Sequence, residues 1–163
     1  MAINITQLIE LVIRPSLKQV NLYNEAAEQL IAGTAAKESA LGFYLHQYPT
    51  GPAVSIYQIE ENTYNSMCQD YLAYRPDLEK SILSACGYSS MPVCDRIITD
   101  LKLATIMCRI KYLWVSETLP KFGDIQGQAN YWAKYYNGNP ITGVPSKYIE
   151  TYNQYVRGYY ENT

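Results

Sequence analysis

Glu38 is the residue of this sequence best placed to do chemistry. It continues the row of Leu30 and Thr34 at four-residue spacing, which turns its side chain partly toward the core. It also falls at the end of a helix, where the macrodipole disfavours negative charge. Desolvation and the dipole both push its pKa upward. A carboxylic acid that holds its proton near neutral pH is what protonation of a glycosidic oxygen requires. The same pattern also fits a frayed helix end with Glu38 turned to solvent. Other reactive types are sparse. His46 is the lone histidine and has no evident Ser or Cys partner for a triad. The cysteines Cys68, Cys86, Cys94 and Cys108 contain no CxxC pair, so neither a metal nor a cofactor is expected. Cys86 and Cys94 would bridge only in an oxidising place; a reducing one leaves all four as thiols.

The elements that must position Glu38 follow from periodicity and caps. Thr6 caps a first helix over residues 7–13 that ends near Pro15. Asn24 precedes Glu25 and Glu28, acids in the first turn of a second helix that runs to about Ser39. Residues 42–55 lack helical period, and residues 54–59 read as a short extended piece. Helices are expected at 61–71 and from Pro76 to about Cys86. Val93, Ile97, Leu101, Ala104, Cys108, Tyr112 and Val115 form a stripe that predicts one long central helix from near Pro92. Asp124 caps a helix to Tyr136 that stops at Asn137-Gly138, and a last helix runs from Ser146 to about Val156. The fold class is therefore mostly α, an α+β arrangement of six or seven helices with at most a small β element near 54–59. Residues 1–163 read as a single domain without repeat or linker.

Composition narrows the function further. Hydrophobic residues at 48% suffice for a core, which argues against disorder. A net charge of −2 argues against nucleic acid or an anionic membrane as the main partner. No apolar run reaches the roughly 18 residues of a membrane span. The first residues lack the basic start and cleavage site of a secretory signal, so the expected place of synthesis is a cytoplasm. Seventeen tyrosines stand against two tryptophans and two phenylalanines, which suits half-buried surfaces, interfaces and sugar clefts.

Three motifs in order carry a resemblance. Glu38-Ser39 ends a helix. Gly51-Pro52-Ala53-Val54-Ser55-Ile56-Tyr57-Gln58-Ile59 follows, with Gln58 placed 20 residues after Glu38 (58 − 38). Ala133-Lys134-Tyr135-Tyr136-Asn137-Gly138 comes later. Together they resemble the lysozyme-like lytic transglycosylases and goose-type lysozymes, which show Glu-Ser, then Gly-Ala-x-Gly-Leu-Met-Gln-Ile, then Ala-Tyr-Asn-Ala-Gly. Two departures are plain: Ser55 stands at the glycine position, and Ile56-Tyr57 replace Leu-Met. The stretches around Gly33 and Tyr131 also look like a group of phage-encoded proteins.

The resemblance implies a lysozyme-like fold and a peptidoglycan glycan strand as substrate, cleaved at the MurNAc-GlcNAc bond. Glu38 becomes the general acid and then the base. Ser39 hydrogen-bonds near it or to the substrate N-acetyl group, and Gln58 lines the cleft. Tyr136 hydrogen-bonds Glu38, with Asn137 beside it among the substrate-binding residues. Tyr57, with Tyr44, Tyr48 and Trp132, stacks on sugar faces. Glu60, Glu61 and Asp70 are candidate second acids, with nothing to single one out. Without a second acid the expectation leans to a transglycosylase over a hydrolase. The implied setting is a phage protein made in a bacterial host cytoplasm and acting in the periplasm, the cell wall or on the virion. Two alternatives stay open: a non-catalytic lysozyme-like component that contacts phage structural proteins, and a chitin-cleaving relative.

Overall fold

The computed structural model describes residues 2–139 and 141–162. It is mostly helical, with nine helices and one two-stranded antiparallel sheet among the described residues. Helix α1 covers residues 5–19. It starts at Ile5, where the Asn4 side chain accepts the Gln7 N–H, so Asn4 rather than Thr6 is the cap. Pro15 does not end it. The turn Leu8–Ile13 is π-helical, and Pro15 then falls in the first turn of the α-helical segment Arg14–Gln19, where a missing N–H costs little.

Helix α2, Glu25–Ser39, begins as expected, with Asn24 accepting the Ala27 N–H at 2.7 Å. Eleven of its fifteen residues are buried, so it is packed on nearly all sides. Gly33 makes that possible: the hydroxyl end of Tyr148 occupies the place where a Cβ would stand. The chain leaves α2 through Ala40 and Leu41, both left-handed, at φ 50° and 57°. The expected extended piece is a hairpin. β1, Ala53–Val54, pairs with β2, Ile59–Glu60, in the register Ala53 to Glu60 and Val54 to Ile59. Residues 55–58 form its turn, with Ser55 and Gln58 also left-handed.

Helix α3 covers residues 61–74, and α4 is Pro76–Cys86. The stripe from Val93 to Val115 is carried by two helices rather than one. α5, Arg96–Thr99, stops at Asp100, whose carboxylate accepts the Leu103 N–H at 2.9 Å and caps α6, Leu101–Leu113. A side chain that satisfies a free N–H favours a new start over continuation. Helix α7 covers residues 125–137, capped by Asp124, and its last turn Trp132–Asn137 is π-helical before left-handed Gly138. α8, Pro145–Tyr155, and α9, Arg157–Glu161, follow.

One hydrophobic cluster joins α1, α2, α6, α7 and α8. Each fully buried Leu or Ile in it contributes about 1.5–3 kcal/mol relative to an exposed position. An ion pair ties α1 to α2: half-buried Arg14 holds buried Glu28 through two hydrogen bonds, of 2.7 and 3.0 Å, with Tyr160 donating to the same carboxylate. All four cysteines are thiols. No helix among the described residues is long and apolar enough to cross a membrane.

Candidate functional site

The end of α2, the 44–60 segment, α6 and the end of α7 enclose an open cleft of about 790 Å³. Glu38, Gln58, Tyr136 and Asn137 line it, so four of the six residues singled out in the sequence meet there. Ser39 and Tyr57 do not, being only 1% and 0% exposed.

Glu38 is half-buried and its carboxylate oxygen accepts the indole N–H of Trp132 at 2.7 Å. That partner replaces the expected Tyr136. The Tyr136 hydroxyl instead donates to the Tyr57 carbonyl at 2.8 Å. The π-helical turn accounts for the exchange: widening the helix between Trp132 and Asn137 changes the angle between side chains four apart. One turn thereby holds both the acid and the hairpin. Trp132 is wholly buried, so its ring stacks on no sugar; it packs on Tyr148 with centroids 5.7 Å apart.

Ser39 ties the same two elements from the other side. Its hydroxyl donates to the Ile56 carbonyl at 2.6 Å and accepts the Gly42 N–H at 2.8 Å. With both bonds internal and no exposure, it positions the helix end instead of touching substrate. Tyr57 points into the core, its hydroxyl 2.9 Å from that of Thr105, which removes it from the sugar-stacking set. Ser55, at φ 74°, occupies a conformation that glycine adopts without strain. Its hydroxyl accepts the Tyr57 N–H at 3.2 Å, and its carbonyl accepts the Gln58 amide at 2.7 Å. The hairpin turn thus keeps its shape despite the serine, and Gln58 remains on the cleft wall.

Burial is the largest influence on Glu38 and raises its pKa above the usual carboxylate value. The Trp132 hydrogen bond and the charges of Lys37 and Lys111 oppose that rise without cancelling it. Trp132→Phe therefore lifts the Glu38 pKa further, because it removes a donor that favours the ionised form. A carbon-detected NMR titration of the Glu38 carboxyl should show a midpoint displaced to higher pH. A lower midpoint would contradict the account.

Two further groups of the cleft carry charge. Lys111 of α6 donates to the Tyr136 carbonyl at 2.8 Å, its ammonium 3.8 Å from the Tyr136 ring centroid. Sequence reasoning passed over it, since a lysine on an apolar helix normally reads as a solvated edge. Glu60 is the second carboxylate lining the cleft among the described residues; Glu61 and Asp70 lie outside the lining. Tyr44 and Tyr48, 39% and 74% exposed, stack at the rim with centroids 5.5 Å apart and planes 24° from parallel. Such faces match the CH surface of a pyranose. His46 contributes a backbone bridge to Val54 and is no part of the lining.

Chemically, the site offers a carboxyl of raised pKa held at one point, amides from Gln58 and Asn137, hydroxyls, and two aromatic faces. The chain matches no family model, no curated protein and no solved structure. Assignment therefore rests on the geometry of the cleft and the motif order.

Proposed function

We propose that the protein is a glycosidase that cleaves the MurNAc-GlcNAc β-1,4 bond of peptidoglycan. Glu38 donates a proton to the glycosidic oxygen as the bond to the sugar breaks, and the neighbouring N-acetyl group assists departure. The same Glu38 then accepts the proton of the muramic acid hydroxyl that closes an anhydro ring. The observation that carries this reading is the Glu38 carboxyl: burial raises its pKa, one indole N–H orients it, and it faces an open polar cleft. Tyr44 and Tyr48 seat sugar rings at the rim, while Gln58 and Asn137 supply amides. A phage protein of this kind acts in the periplasm, in the cell wall or on the particle that delivers it.

Digestion of purified cell walls, read by mass spectrometry of the released fragments, tests the proposal. Anhydro-muramyl ends are the expected product. Reducing ends would assign a hydrolase, with Glu60, the second carboxylate of the cleft lining among the described residues, activating water. Walls left intact would overturn the glycosidase reading.

One observation favours a second reading, a lysozyme-like structural component without catalysis. Phe43, Tyr44 and Tyr48 are 55%, 39% and 74% exposed, and their rings follow one another with centroids 4.8 and 5.5 Å apart, an aromatic patch suited to protein contact. Presence in purified particles together with inert walls would support it.

A further inference from the structure

The Lys111 ammonium lines the cleft with three N–H donors, and one is used, on the Tyr136 carbonyl. No ion pair engages it among the described residues: the four ion pairs present join Arg14 to Glu28, Lys134 to Glu117, Lys147 to Glu150 and Arg157 to Glu161. Glu38 accepts the Trp132 N–H and Glu60 is exposed on β2; both carboxylates act on Lys111 electrostatically without pairing with it. The Tyr136 ring lies beneath the ammonium and fixes where it stands. Burial works against the Lys111 charge and the nearby Glu38 and Glu60 carboxylates favour it, yet neither forms an ion pair with it, so two of its N–H donors stay open to the cleft.

From these positions we infer that Lys111 binds a free carboxylate carried on the sugar, so that the strand this protein takes is an acidic, peptide-free one. The inference rests on the peptidoglycan reading above. In peptidoglycan the lactyl group of muramic acid is amide-linked to a peptide stem and is uncharged at that point. Once the amide is cleaved, the lactyl carboxylate is free and anionic, and an ammonium with two open donors distinguishes it from the amide. A neutral stem-bearing lactyl group offers Lys111 only a carbonyl and adds bulk beside the rim. The protein then works after an amide-cleaving reaction that strips the peptides from the glycan.

Direct binding tests this without relying on turnover. Glu38→Gln mimics the protonated acid and cannot transfer a proton, so saccharides bind without being cut. Calorimetric titration of this variant compares a muramic-acid-containing disaccharide as the free lactyl acid with the same disaccharide as the lactyl amide. The acid should bind at least about tenfold more tightly, as expected for a charge-assisted bond. Adding Lys111→Met should bring the two affinities within about twofold, a ratio that a general loss of packing leaves untouched. Equal binding of acid and amide by Glu38→Gln overturns the inference and leaves the glycosidase reading standing. Binding of neither saccharide overturns both.

Discussion

Glu38→Gln should reduce glycan cleavage by about a thousandfold while leaving the fold in place, within the range that a positioned acid-base group supplies. The amide keeps the size of the carboxyl and still accepts the Trp132 N–H, so geometry persists and only the transferable proton is lost. The same substitution has a signature in stability. In the wild type the Glu38 pKa is raised by folding from an ordinary value of 4.5. Below that value the side chain is protonated in both folded and unfolded chains, and pH has no effect through this group. As pH rises from there toward the folded pKa, the unfolded chain releases its proton first, so the wild type loses stability. Glu38→Gln removes that loss. Thermal melts should therefore give the variant the higher midpoint at neutral pH and no such advantage at pH 4 or below. A variant less stable than wild type at neutral pH would show that the carboxylate is well solvated, and the acid role would fall with it.

Gly33→Ala is expected to lower stability by about 3 kcal/mol, the upper end of ordinary overpacking. The added methyl would stand where the Tyr148 hydroxyl and ring carbon already are, in a stretch of α2 buried on all sides. Relief requires Tyr148 to leave the Leu30 carbonyl, its partner at 3.3 Å, or α8 to slide off α2. For a chain of this size that means a fall in melting temperature of roughly 10 °C. The site should suffer too, since Tyr148 packs on the Trp132 ring that orients Glu38. Tyr148→Phe removes the nearest clashing atom and should restore part of the loss in the double variant. A Gly33→Ala protein with an unchanged melting temperature would place this packing in error.

The parts of the fold legible in the sequence are those governed by local rules. Asn24 and Asp124 each cap the helix they precede, and Gly138 ends the one before it, because a single side chain or a single left-handed residue decides each case. Helix α2 with Glu38 near its end follows from spacing and its cap, while the cleft facing it is an expectation of the resemblance, since spacing alone leaves Glu38 free to turn to solvent. The stripe from Val93 to Val115 misleads because apolar periodicity continues across Asp100 while its carboxylate starts a new helix. The partner of Glu38 was hidden for a related reason. A helix period of 3.6 assigns faces correctly only while the helix stays α, and the π-helical turn after Tyr131 gives Trp132 the role expected of Tyr136. Tyr57 shows the converse limit. A hydroxyl suggests a wet position, yet Thr105 on α6 supplies a partner in the core.

Ala40, Leu41, Ser55 and Gln58 hold positive φ at the two bends that flank the cleft, where side chains crowd their own backbone. Native packing must outweigh this local penalty at four neighbouring sites. At Ser55 glycine would relieve the torsion but would also leave the Tyr57 N–H without the hydroxyl it donates to. The same torsions set where Gln58 and the end of α2 stand, so relaxing either bend would move a wall of the groove.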